Sequence, residues 1–431
     1  MKFIADFHIH SKYSRATSKD MNLESLDKWA KIKGIKVLGT GDFTHPEWFK
    51  GLKEKLVLAE PGLFKLKKGD EGTRFILTAE ISCIYTKTLA VAKGKKEDLS
   101  SLPNNRVRKI HIIVFAPSFE AVEKINAHLG WIGNLKSDGR PILGLDAKEL
   151  AKIVFNASSD CLVIPAHCMT PWFAIFGSKS GFDSIEECFD EYSKYIYAVE
   201  TGLSADPQML WRMPSLDKIT LISNSDAHSP QKIGREANVF DAELSYQSIV
   251  QAIKSKDASK FLYTIEFFPE EGKYHYDGHR NCNISLSPQE SKKHNNICPV
   301  CGKSLTIGVM NRVESLADRK KGFSPEGAIP FKSLIPLNEI IAESLGVTTA
   351  SKQVAVEYKN LIKKCGSEFN ILLDASRREL EQGTLPEIAE GIIRVREGRV
   401  SIAPGYDGVF GKINIFSEGE EKTKSKQKTL I

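Results

Sequence analysis

Short apolar runs alternate with longer segments of helical spacing through the first 260 or so residues. Lys2-Phe-Ile-Ala-Asp-Phe7 reads as a strand, and residues 23–33 carry a helical apolar stripe that stops at Gly34. Further strands are predicted at 35–39, 75–78, 111–115, 162–164, 197–199 and 220–222, with helices at 119–129 and 147–155. Strands followed repeatedly by helices predict a parallel sheet with helical crossovers. About seven such units over residues 1–262 fit a closed, seven-stranded β/α barrel better than an open sheet.

After Phe268 the pattern changes. Residues 263–312 are rich in Gly, Pro, Asn, Lys, His and Cys with few apolar runs, which predicts a small module built on something other than a large core. Residues 313–416 predict a mostly helical region, with amphipathic stripes at 337–345, 353–364 and 386–397 and short strands at 400–403 and 412–416. The polar, Lys-rich stretch 417–431 predicts a disordered tail.

Composition narrows the class. With 41% hydrophobic and 26% charged residues the chain is neither disordered in bulk nor a helical membrane protein. The opening residues meet Lys2, Asp6 and His8 with no secretory apolar stretch, which predicts a cytoplasmic protein with no membrane association. In that compartment the clustering of Cys282, Cys298 and Cys301 points to metal before disulfide.

Candidate chemistry concentrates at the predicted strand ends. His8 and His10 leave the first strand as His-x-His; Asp42 follows the second and Glu80 ends the third. His111 lies on the next, His167 follows the fifth, Glu200 follows the sixth, and Asp226 and His228 form Asp-x-His after the seventh. The carboxyl ends of barrel strands converge on one face, so these nine side chains predict a site for two or three divalent ions (Mg, Mn or Zn). A lone histidine of this set would read more simply as a hydrogen-bonded core residue. His-x-His and Asp-x-His, however, each put two ligands on one side of an extended segment.

A second set is His279-x2-Cys282, fifteen residues, then Cys298-Pro-Val-Cys301-Gly302. Three thiolates and an imidazole make a tetrahedral structural zinc site; His275 and His294 are alternative fourth ligands, and the spacing favours His279. Around it, residues 291–332 hold eight basic against three acidic side chains. Lys292, Lys293, Arg312, Arg319, Lys320 and Lys321 are therefore expected to meet a phosphate backbone. The loop Thr170 to Phe182 carries Trp172 and Phe173, which could stack on a base, and Lys179, which could hold phosphate.

The motifs Asp6-Phe-His-Ile-His-Ser11, the Asp42 turn, Glu80, His167 and Asn-Ser-Asp-Ala-His228 resemble those of the polymerase-and-histidinol-phosphatase (PHP) superfamily. That resemblance implies a metal-dependent phosphoesterase on a distorted seven-stranded barrel. Trinuclear members carry histidines where this chain has Phe43 and residues near Arg15. With the His-Cys…Cys-Pro-Val-Cys module and the helical C-terminal region added, the chain resembles the endonuclease Q family over nearly its full length. The resemblance implies a DNA repair endonuclease that cuts damaged DNA 5′ of deaminated bases (uracil, hypoxanthine, xanthine) or abasic sites. Asp226 and His10 are expected at the reacting phosphate, with Arg15 and Lys179 adding charge to the transition state. The competing reading is a PHP-type phosphoesterase acting on small molecules or nucleotides, which would need neither the zinc module nor the basic segment.

Overall fold

The computed structural model describes residues 1–69, 72–88 and 105–416; the tail expected at 417–431 lies outside them. Among the described residues twelve strands precede the Cys-rich segment. They are β1 (Lys2–Asp6), β2 (Val37–Gly39), β3 (Leu56–Glu60), β4 (Leu63–Leu66), β5 (Arg74–Thr88) and β6 (Asn105–Ala116). There follow β7 (Ile142–Leu143), β8 (Leu162–Pro165), β9 (Ala198–Glu200), β10 (Thr220–Ile222), β11 (Ala237–Asp241) and β12 (Phe261–Glu266).

The sheet is mixed, which corrects the expectation of parallel strands. β1 pairs in parallel with β2, β2 with β5, and β9 with β10. β5 with β6, β6 with β8, and β1 with β11 are antiparallel. The cause is the pair β5–β6: consecutive among the described strands, they lie side by side and antiparallel from Leu77↔Ala116 to Thr88↔Asn105. Once such a pair is inserted, strand–helix alternation elsewhere no longer sets strand direction.

Local rules hold well where periodicity is long. The helix Leu23–Lys33 starts where the Asn22 side chain accepts the Ser25 amide at 3.0 Å and stops at Gly34, whose φ of 86° suits glycine. The helix Leu337–Leu345 begins and ends where its apolar stripe does. β5 and β6, by contrast, run far beyond the predicted 75–78 and 111–115. The antiparallel strands β11 and β12 are not among the predicted strands.

Alternation along the long strands divides the core in two. Phe75, Leu77, Ala79, Ile81 and Cys83 of β5 join Ile110, Ile112 and Val114 of β6 in a large cluster under the helices. The opposite faces supply Ile76, Ile113 and Phe115 to a second cluster with Phe3, Phe7, Val37, Ile164 and Ile222. There Phe7 packs on Phe115 and Phe240 with ring centroids 5.1 and 6.0 Å apart. Each such fully buried side chain contributes roughly 1.5–3 kcal/mol by removal from water. Glu80 and His111 share the inner face with this second cluster, so the apolar packing sets their position.

The remaining chain is attached to this body. β13 (Asp277–His279) and β14 (Ile284–Leu286) form a hairpin, and β15 (Phe331–Ser333) adds to the sheet beside β12 in parallel. Four α-helices follow, Leu337–Leu345, Lys352–Cys365, Arg377–Gly383 and Pro386–Arg396, with a π-helical turn at Asn370–Asp374 between the second and third, then the hairpin β16 (Ser401–Ala403) and β17 (Lys412–Asn414). Their apolar residues, Ile340, Leu361, Ile388 and Ile392 among them, are continuous with the large cluster. A buried Lys33–Glu368 pair at 2.9 Å, with the Tyr358 hydroxyl donating to Glu368, ties the first helix to this region. No helix among the described residues is long and apolar enough to cross a membrane.

Candidate metal centre

The strand ends bring two donor groups together, and they share one carboxylate. His8, His10, Glu80 and Asp226 form one group; Glu80, His111 and His167 form the other, with ligand atoms within 4.8 Å of one another in each. Glu80 Oε1 lies 2.8 Å from His111 Nδ1 and 3.0 Å from His167 Nε2. Its Oε2 lies 3.3 Å from His10 Nε2 and 3.5 Å from His8 Nε2. Asp226 Oδ1 stands 3.1 Å from His10 Nε2 and 3.7 Å from His8 Nε2. Asp42, His167 and Asp226 all have positive φ (47°, 30° and 46°), so the chain turns sharply there and aims each side chain inward. Backbone strain of this kind costs about 1–3 kcal/mol per residue and gathers at functional sites.

Asp42, Glu200 and His228 fall outside these two groups. Asp42 Oδ1 is 3.1 Å from His10 Nδ1, while its Oδ2 accepts from the Ser11 amide and hydroxyl (both 2.6 Å) and the Ser14 hydroxyl (2.8 Å). Glu200 contacts His8 Nδ1 with both oxygens at 3.0 Å and also accepts from Asn224 and the His167 amide. Each carboxylate therefore fixes a ring from behind, leaving Nε2 to face the centre. The His228 ring lies tilted against that of His10, centroids 4.6 Å apart, and its Nδ1 faces the Asp226 carbonyl. Gly202 sits so close to His167 that a β-carbon would lie 2.5 Å from the histidine's own.

The electrostatics follow from crowding charges in the core. Burial alone would push His8 and His10 down; Glu200, Glu80 and Asp226 around the first, and Asp42, Asp226 and Glu80 around the second, raise both well above the ordinary histidine value. Burial would lift Glu80, but His111, His8 and Arg140 hold it well below the usual carboxylate range. Burial takes His111 down to about 4. Behind the centre, burial pushes Glu266 up to about 8 although the hydroxyls of Thr264, Thr201 and Ser223 donate to it.

A second cluster lies in the Cys-rich segment. His279, Cys282, Cys298 and Cys301 present donors within 4.8 Å of one another, with Cys301 Sγ 3.4 Å from His279 Nδ1. Backbone bonds close the knuckle: Gly302 N–H donates to the Cys298 carbonyl at 2.9 Å and Cys298 N–H to Lys303 at 2.7 Å. Burial raises the Cys298 thiol, but the amides of Cys301 and Val300 and the side chains of Cys301 and His279 bring it to about 7. His275 is buried elsewhere and His294 follows the helix Pro288–Lys293 as its C-cap, so neither joins the thiols.

The expected DNA-contacting residues divide. Lys292, Lys293, Lys320 and Lys321 are exposed. Arg312 instead braces the 170–182 loop, donating to the Phe176 and Phe182 carbonyls and pairing with Asp183 at 2.6 Å. Arg319 forms a two-pronged pair with Asp217 at 2.7 and 2.5 Å. On that loop Phe173 packs against His111, ring centroids 4.6 Å apart, and the half-exposed Trp172 meets Tyr274 edge-on at 6.3 Å. Lys179 is exposed, and Arg15 is 74% exposed with Nε 3.2 Å from Asp138. Sequence reasoning missed Arg140, whose Nη1 lies 2.9 Å from Glu80 Oε2. It follows no predicted strand, so no periodic signal marks it.

Fold and site together define an α/β protein with two separate metal-capable centres, one buried and shared through a carboxylate, one thiol-rich and nearer the surface. Comparison with known proteins specifies it further. Lesion-specific endonuclease PfuEndoQ from Pyrococcus furiosus superposes with a TM-score of 0.83 at 31% identity, over 99% of this chain and 98% of that one. An endonuclease Q in complex with a 27-mer duplex bearing an abasic lesion superposes at 0.81 with 30% identity, over 100% of both chains. The chain belongs to the endonuclease Q family. The MJ0043 C-terminal domain family matches residues 336–399. MJ0043 of Methanocaldococcus jannaschii is 36% identical over 256 residues, 58% of this chain and 31% of that protein, so the match spans about a third of the relative's length. YqxK of Bacillus subtilis is 28% identical over 96% of this chain and 99% of its own.

Proposed function

We propose that the protein is a metal-dependent DNA repair endonuclease that hydrolyses the phosphodiester 5′ of a deaminated base (uracil, hypoxanthine or xanthine) or an abasic site. The observation that carries this reading is the sharing of Glu80 between two donor groups, in a chain similar throughout to a lesion-specific endonuclease. The donors fit cations: His8 Nε2 is buried without a hydrogen-bond partner and faces the carboxylates of Glu80 and Asp226. We assign His8, His10, Glu80 and Asp226 to one divalent ion and Glu80, His111 and His167 to a second, Mg, Mn or Zn in each case. Ions held there supply Lewis acidity and charge neutralisation for in-line displacement at phosphorus. Asp42 and Glu200 orient His10 and His8, and His228 stands at the rim beside Asp226.

The surrounding chain supplies recognition. Trp172, Phe173 and Tyr274 offer aromatic faces for a base turned out of the duplex, which is cheapest where pairing is already weak. Lys292, Lys293, Lys320 and Lys321 are free to meet phosphates, with Lys179 and Arg15 nearer the reaction. His279, Cys282, Cys298 and Cys301 suit a structural zinc ion. We read β1, β2, β5, β6, β8, β9 and β10 as a distorted seven-stranded barrel within a domain of residues 1–262, supported by the parallel bridge Ile9–Ala227 beyond the ends of β1 and β10. A zinc module at 263–312 and a mostly helical region at 313–416 complete the division, and DNA as substrate accords with a cytoplasmic protein.

The test is a panel of end-labelled duplexes, each with one uracil, hypoxanthine, xanthine or abasic site, incubated with Mg²⁺ or Mn²⁺. A nick 5′ of the lesion and none in intact duplex is the expected result. Hydrolysis of phosphate monoesters with every duplex uncut would establish the small-molecule alternative instead.

A further inference from the structure

The segment Asp138-Gly139-Arg140 is built against the metal centre. Asp138 is nearly buried, its side chain 7% exposed. One of its oxygens accepts the amides of Arg15 at 3.3 Å and Arg140 at 3.1 Å, and the other meets Arg15 Nε at 3.2 Å. Gly139 presses on Asp42 so closely that a β-carbon would lie 2.2 Å from Oδ2. Its amide donates to the Tyr13 carbonyl and its own carbonyl accepts the Thr44 hydroxyl. These contacts fix where the next side chain starts. Arg140 reaches Glu80 Oε2 at 2.9 Å, the oxygen that also faces His10 and His8, and its side chain stays 27% exposed.

A guanidinium has five N–H donors in a planar fork matched to two phosphate oxygens. Glu80 takes one of them, and among the described residues no second side chain accepts from the Arg140 guanidinium. A cation held by His8, His10, Glu80 and Asp226 would draw on the same Glu80 oxygen that Arg140 now holds, whereas His111 and His167 face the other, Oε1. The guanidinium and a cation are therefore competitors for Oε2, and a phosphate arriving at the centre offers the arginine a new partner at the exposed side.

We infer that Arg140 is a catalytic residue of the proposed hydrolysis, binding the scissile phosphate and neutralising charge on its non-bridging oxygens. Asp138 is its positioning residue and aligns Arg15 with a neighbouring phosphate. The inference rests on the endonuclease reading, and Arg140 moves no proton.

The test compares wild type with Arg140→Ala and Arg140→Lys in three measurements: single-turnover cleavage of an abasic-site duplex, Mn²⁺ affinity by titration, and binding of intact duplex. Arg140→Ala should cut about 10²–10³-fold more slowly, the range for removing one donor to developing charge, and Arg140→Lys should recover part of the loss. Intact-duplex binding should stay within about threefold, and Mn²⁺ should bind as tightly as in wild type or tighter, because the competitor for Glu80 is gone. Cleavage by Arg140→Ala within about threefold of wild type would overturn the assignment, as would weakened Mn²⁺ binding, which would make the arginine a buttress for Glu80. A wild type that cuts no lesion duplex would overturn the endonuclease reading itself, a distinct outcome.

Discussion

The two metal-capable centres are built by opposite means. At the strand ends the donors come from five separate stretches of sequence, four of these donors (His8, His10, Glu80 and His111) are buried, and His10 and His8 are oriented from behind by Asp42 and Glu200. In the Cys-rich segment all four donors fall within 23 residues, Cys301 is exposed, and turns and backbone amides hold them in place. The first centre borrows its rigidity from a core that exists without it. The second has little core of its own, so a metal there would be part of what folds the segment. Loss of ligands should thus separate activity from stability in one centre and join them in the other.

The sharpest break of that contrast is Asp226→Asn. It removes a carboxylate facing both His8 and His10, and its cost to cleavage should exceed the roughly 10–100-fold typical of outer-shell changes. Thermal melting and intact-duplex binding should remain close to wild type. Near-wild-type nicking by the purified variant would dissolve the ligand assignment.

Next comes Cys298→Ser. One zinc per chain should be lost, and hydrogen exchange should rise across about residues 270–310 while the main sheet stays protected. Unchanged zinc content would mean that these thiols hold no structural ion. Asp42→Asn follows in size: the fold should persist and cleavage should fall about 10–100-fold, because the ring of His10 loses its orienting partner.

A smaller effect concerns duplex binding. Replacing Lys292, Lys293, Lys320 and Lys321 with alanine should flatten the log–log salt dependence by about 0.9 for each phosphate no longer neutralised, with lesion preference kept. Arg319 belongs outside that set, since Asp217 already holds its guanidinium. An unchanged slope would make these lysines merely solvated. The smallest effect is Glu266→Gln. An acid raised to about 8 in the fold from an ordinary 4.5 stays protonated while the unfolded chain ionises, so its contribution makes stability fall as pH rises across that window. The variant should flatten the fall of melting temperature between pH 5 and pH 8, relative to wild type, by a few degrees at most. Parallel pH profiles for the two proteins would show that burial of this acid is not what sets them.

Much of the chemistry is legible in the sequence because it is local. His-x-His, Asp-x-His and Cys-x2-Cys are short spacings, and the helices at Leu23–Lys33 and Leu337–Leu345 carry stripes long enough to declare their period. The sequence points to nine candidate donors at the strand ends, yet does not say which of them share an ion. Only the structure separates Glu80, which faces both groups, from Asp42 and Glu200, which stand behind the rings.

What the sequence by itself determined is the kind of residue available at each strand end and the family those motifs resemble, because both are properties of neighbouring positions. The tertiary structure alone decided strand direction, the sharing of one carboxylate, the internal pairing of Arg312 and Arg319, and the arrival of Arg140 at Glu80. Each of these joins residues tens to hundreds of positions apart. Side chains at such separations meet only through packing of the whole core, and no periodicity along the chain encodes that meeting.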